Sequence, residues 1–153
     1  MKTVVKQIVA RKTIKASQEA IFKIISDHEG THRWVKEVDK VLIVKEGEQK
    51  NGLRAIRKVH FKPVLWTTVE EEIIDFQENK SYIYKIISKM PGLVDHKGVW
   101  SLQEISADAT EVVWDVYIEF KKMHWFSLFA GSFAKSFGKV QNRALAQLEQ
   151  DLS

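Results

Sequence analysis

The chain of 153 residues contains no cysteine, which excludes disulfides, thiolate metal sites and cysteine nucleophiles. Its two prolines are Pro63 and Pro91, so none interrupts a helix in the C-terminal third. The seven glycines do not gather into a phosphate-binding loop: Ala130-Gly131-Ser132 and Ser136-Phe137-Gly138-Lys139 are isolated fragments. There is no Gly-x-Ser-x-Gly, and so no sign of a nucleophile elbow. No apolar run reaches the length of a membrane span. The first residues, Met1-Lys2-Thr3-Val4-Val5-Lys6, are too charged for a signal peptide, and a cytoplasmic location is the expectation. An excess of one charge is also lacking. Twenty-four basic residues face 20 acidic ones, for a net charge of +4. They are scattered, which argues against a nucleic-acid partner and for a solvated, Lys-rich exterior. Linkers, repeats and low-complexity segments are absent, so residues 1–153 read as a single domain.

Aromatic residues, by contrast, are plentiful. They make up 10% of the chain and include five Trp, more than a core of this size needs, and aromatics also line ligand pockets. Alternation predicts a strand over residues 3–14, then a short helix from Gln18 to Ser26, with Ser17 as N-cap and Glu19 in its first turn. A second short helix is expected near Thr31 to Val35. Strands come next over 38–45, 53–61, 64–76, 81–88, 94–105 and 111–120, divided by turn residues such as Gly47 to Gly52 and Pro91-Gly92. From about Trp125 to Leu152 the apolar period becomes helical. Hairpin spacing makes the sheet antiparallel. The expectation is an α+β fold: seven antiparallel strands wrapped around one long C-terminal helix, with two short helices after the first strand.

His28-Glu29-Gly30-Thr31-His32 fits H-E-x-x-H, which on a helix sets two imidazoles on one face for zinc. Three features oppose that reading. Gly30 within a helix costs about 1 kcal/mol relative to Ala. The extended zinc motif needs Gly and His where the chain has Val35 and Val38. A carboxylate ligand from a second helix is lacking, because the next segment, from Val38 to Lys45, reads as strand. The expectation is a polar surface turn, with neither His28 nor His32 binding a metal.

Several stretches resemble the START/Bet v 1-like superfamily, in particular its bacterial polyketide cyclase/dehydrase and lipid-transport-like group. They are Ile14 to Phe22, Ser26-Asp27 with Trp34, Asn51-Gly52-Leu53-Arg54, Glu72 to Phe76 with Tyr82-Ile83-Tyr84, and Gly98 to Leu102 with Thr110-Glu111-Val112. The resemblance extends over the whole chain. It implies a helix-grip fold with a cavity between sheet and helix for a lipid, polyketide or other apolar molecule. It implies no shared catalytic residue, and none is assigned.

The candidate ligand-binding residues come from the pattern. Phe126, Phe129, Phe133 and Phe137 recur at three- and four-residue steps beside Gly131, Ser132, Ser136 and Gly138. They read either as core or as one wall of a cavity. Trp100 and Trp114 would supply the other wall, and Trp34 and Trp66, near turns, its rim. Tyr82 and Tyr84 would bond a ligand or set their polar tips at that rim. One of Glu70, Glu71 and Glu72 must face inward and needs a partner. Arg57, on the same face as Ala55 and Val59, is the better candidate over Arg54 and His60; an inward Arg57–Glu71 pair would anchor a polar head group, while which of the three glutamates faces the cavity stays open. Trp125 and Phe126, after Lys121 and Lys122, would suit a transient membrane contact. The reading is a carrier or sensor of an apolar or amphipathic small molecule, without a cofactor. A cyclase, dehydratase or hydrolase in the same cavity, or a membrane or partner-binding module, are the alternatives. Nothing in the pattern sets an oligomeric state.

Overall fold

The computed structural model describes residues 2–62, 67–122 and 124–153, with side chains from residue 129 onward in the last range. Strand β1 (Thr3–Ile14) leads to helix α1 (Gln18–Ile25) and a short 3-10 helix (His28–Arg33). Six strands come after it: β2 (Val38–Lys45), β3 (Ile56–Phe61), β4 (Thr68–Gln77), β5 (Ser81–Ile86), β6 (Leu93–Ser106) and β7 (Ala109–Lys121). Helix α2 (His124–Asp151) closes the chain.

The strands form one antiparallel sheet in the order β1-β7-β6-β5-β4-β3-β2. Each neighbour from β2 to β7 is also a neighbour in sequence, as short hairpins require. Only β1 is displaced, pairing with β7, so α1 and the 3-10 helix carry the chain from one sheet edge to the other. This is the helix-grip arrangement. No helix among the described residues is long and apolar enough to cross a membrane.

Local chemistry sets the elements. The Ser17 hydroxyl accepts from Ala20 N–H at 3.1 Å and starts α1, whose Ile21, Phe22 and Ile25 are buried. Strand β7 buries every second residue from Thr110 to Ile118. Strand β3 begins at Ile56, three residues later than the alternation predicts, because Arg54 adopts a left-handed φ of 71° that a strand cannot continue. Gly98 on β6 lies under the Tyr84 ring of β5. A Cβ there would stand 2.0 Å from Tyr84 Cζ, so only glycine lets that ring lie flat on the sheet.

The two halves of α2 differ. Gln141, Ala144, Leu145 and Leu148 are buried, an i, i+3, i+4, i+7 face packed on the sheet. In the other half, from residue 129 to 140, only Ala130 is buried. The sheet is therefore filled beneath one end of the helix and left open beneath the other.

Candidate functional site

Beneath that open half lies a cavity of about 450 Å³. Val38, Val41, Val59, Val69, Val116 and Ile118 form much of its floor, and Phe133, Phe137 and Val140 of α2 its roof. Trp100 and Trp114 stack at 4.5 Å between ring centroids, and Phe137 meets Trp114 edge-on at 5.7 Å. Phe133 stacks on Phe137 at 5.9 Å and is 41% exposed, which puts it where the cavity meets solvent.

A buried polar cluster interrupts this apolar wall. Arg57 of β3 and Glu71 of β4 stand opposite each other in register, and both are buried. Arg57 Nε donates to Glu71 Oε1 at 2.9 Å. A second guanidinium nitrogen lies 2.8 Å from Nδ1 of His28, while His28 Nε2 lies 2.9 Å from the Asn51 carbonyl oxygen. A guanidinium can only donate, so Nδ1 accepts and Nε2–H donates to Asn51. Arg57 also sits over the Tyr84 ring at 4.6 Å, a cation–π contact.

The electrostatics stem from this burial. Desolvation, with help from Arg57, lowers the His28 pKa to about 3, so the ring is neutral at pH 7. Burial works against the charge of Arg57, but Glu71 and the tyrosines more than offset it and keep the guanidinium ionised. Burial pushes Glu71 upward and Arg57 opposes the rise. Tyr82 and Tyr84 are raised chiefly by burial. Burial and Arg57 bring His96 of β6 down to about 4.

Several sequence expectations need correction. Proximity to a turn puts Trp34 at the rim, but the residue is buried in the cavity wall, edge-on to Trp100 at 5.4 Å. Its Nε1 has no partner among the described residues. The tyrosine tips also turn inward: Tyr82 donates to the Ile25 carbonyl at 2.8 Å, and Tyr84 accepts from Trp114 Nε1 at 2.9 Å. Phe129 is 61% exposed and does not border the cavity. A four-residue step overshoots the 3.6-residue turn by about 40°, so the run Phe129, Phe133, Phe137 winds around α2, and of these three only Phe133 and Phe137 reach the wall. Trp66 and the Phe126 side chain lie outside the described residues.

The expected surface turn is only half at the surface. His28 is fully buried and both its nitrogens are engaged. His32 lies on the exposed side, its Nδ1 near the Glu29 carbonyl at 3.0 Å. A 3-10 helix does not align residues four apart as an α-helix does, so the two rings diverge. Among the described residues, no three His, Asp or Glu side chains gather as a metal site.

The sequence reading missed His96, although strand alternation over 94–105 puts it on the same face as Trp100, four residues on. Its Nδ1 accepts from Ile86 N–H at 3.3 Å and its ring borders the cavity.

Residues 6–153 match the family described as polyketide cyclase/dehydrase and lipid transport, and the chain belongs to it. Among solved structures it is similar to a START superfamily protein from Mycobacterium smegmatis, with a TM-score of 0.76, 15% identity and coverage of 95% of this chain and 96% of the other. A protein from Thermus thermophilus gives a TM-score of 0.77 at 18% identity, covering 96% and 97%. An aromatase/cyclase from Streptomyces sp. R1128 gives 0.74 at 16% identity, covering 98% and 97%. These identities establish the shared fold alone. No curated protein matches the chain.

Proposed function

We propose that the protein binds an apolar or amphipathic small molecule between α2 and the sheet, as a carrier or sensor. The observation that carries this reading is the cavity itself. Its volume of about 450 Å³ falls in the range of small-molecule sites, and its wall is mostly apolar and aromatic, with Arg57, Glu71, Glu37 and His96 as its ionisable members besides the tyrosines. The family description, which includes lipid transport, supports the same reading. Tight cores carry few voids larger than a water molecule, so a space of this size supports a binding role.

The second reading is a cyclase, dehydratase or hydrolase acting in the same cavity. It draws on one observation, that Glu71, Arg57 and His96 all border the apolar space. Against it, the Glu71 carboxylate is tied to Arg57 and His28 has no free nitrogen, so neither is poised to move a proton.

The test is titration with an uncharged fluorescent probe such as N-phenyl-1-naphthylamine. Saturable one-site binding is expected. Val116→Phe, which fills the cavity from β7, should abolish it while the far-ultraviolet circular dichroism stays unchanged. Failure of the wild-type protein to bind any apolar probe would contradict the proposal. Liquid chromatography with mass spectrometry after incubation with a bound candidate separates the two readings: a carrier returns the molecule at its original mass and retention time, whereas a dehydratase or hydrolase changes the mass and an isomerising cyclase changes the retention time.

A further inference from the structure

The charged side chains bordering the cavity, among the described residues, are Arg57, Glu71 and Glu37. Each already has a counter-charge. Arg57 and Glu71 hold each other at 2.9 Å, and Glu37 accepts from Arg143 of α2 at 2.6 Å. His96, the remaining ionisable ring on the wall apart from the tyrosines, is neutral at pH 7. The cavity therefore offers no unpaired charge. A ligand carboxylate beside Arg57 would set a second anion against Glu71 in a buried apolar site, and a ligand ammonium would do the same against Arg57. Either adds a desolvated charge without a partner.

The wall does offer hydrogen-bond donors. His96 Nδ1 takes the Ile86 N–H, which leaves the ring's proton on Nε2, and that N–H has no partner among the described residues. The Tyr84 oxygen receives Trp114 Nε1–H, which leaves the hydroxyl proton without an acceptor there. The two rings lie 5.6 Å apart and both border the cavity. A ligand oxygen that accepts without carrying charge, as in a ketone, alcohol or phenol, would complement these two donors.

We propose that the cavity selects uncharged, oxygen-bearing amphiphiles over carboxylates and amines, and that Glu71 sets this selectivity by neutralising Arg57. The proposal rests on the binding function above and names its ligand class.

Competition against N-phenyl-1-naphthylamine with 1-decanol, decanoate and decylammonium, at pH 7, tests it with equal chain lengths. Decanol should displace the probe at least about tenfold more tightly than either charged chain, since ~1.4 kcal/mol already makes that ratio. Glu71→Gln removes the anion and leaves Arg57 unpaired, so the ratio of decanoate to decanol affinity should rise by about tenfold or more. Wild-type protein that binds decanoate as well as decanol overturns the selectivity while leaving the binding function standing. A folded Glu71→Gln protein with an unchanged ratio overturns the role of Glu71. The wild-type ranking decides the first point even where the variant fails to fold. If neither the probe nor any of the three chains binds, the binding function is wrong and the selectivity falls with it.

Discussion

His28 shows how much a single buried ring can fix. It bridges the Asn51 carbonyl to Arg57, and so ties the 46–55 loop to the charged cluster of the cavity. Its folded pKa of about 3 lies below its ordinary 6.5. Between those values the unfolded chain takes up a proton that the folded protein refuses, so stability rises with pH across this window and is lost as pH falls. The slope from this one group is about 1.4 kcal/mol per pH unit. Urea midpoints at pH 6.5, 5.5 and 4.5 should fall steeply in the native protein. His28→Gln keeps a donor and an acceptor but cannot titrate, and should lessen that fall, while His96, also lowered to about 4, keeps a slope of the same sign. Gly98 makes the complementary case for size. Gly98→Ala drives a methyl into Tyr84 and should lower stability by about 1–3 kcal/mol by the same measurement. At this scale the sequence was partly legible. Strand alternation turned Arg57 inward and required one of Glu70, Glu71 and Glu72 to face it, but only the β3–β4 register selects Glu71. His28 could not be placed, because its partners lie 23 and 29 residues away and its turn has no period that marks a buried side. Trp34 was misjudged for the same reason: closeness to a turn says nothing about burial.

Among the elements, α2 serves two purposes along its length. Its C-terminal half holds the sheet through Leu145 and Leu148, which are almost wholly buried. Leu145→Ala should therefore cost about 2–5 kcal/mol in chemical denaturation. Phe133, half-exposed beside a space that already exists, should cost about 1 kcal/mol or less on replacement by Ala. Equal losses at the two positions would contradict this division of labour. At the other end of the fold, Ser17→Ala removes the α1 cap bond and should cost about 1 kcal/mol. Element order and strand faces were legible because periods of 2 and 3.6 residues differ so plainly. Boundaries were less so. Nothing in Leu53-Arg54 announces the left-handed turn at Arg54 that delays β3, and Phe129, Phe133 and Phe137 at four-residue steps look straight in sequence while they wind around the helix.

For the whole molecule, an open seven-stranded sheet curves under a helix that fills it at one end only. The remaining space of about 450 Å³ is the central claim, and its location can be measured directly. Methyl-labelled protein titrated with 1-decanol, monitored by NMR, reports each valine and isoleucine separately. The methyls of Val41, Val59, Val69, Ile86 and Val116 border the cavity, whereas those of Ile14, Ile21 and Ile25 are buried but do not. Saturable shifts confined to the first group are the predicted result. Shifts spread over the exposed valines and isoleucines, or no shifts at all up to the solubility limit, would contradict an internal binding site.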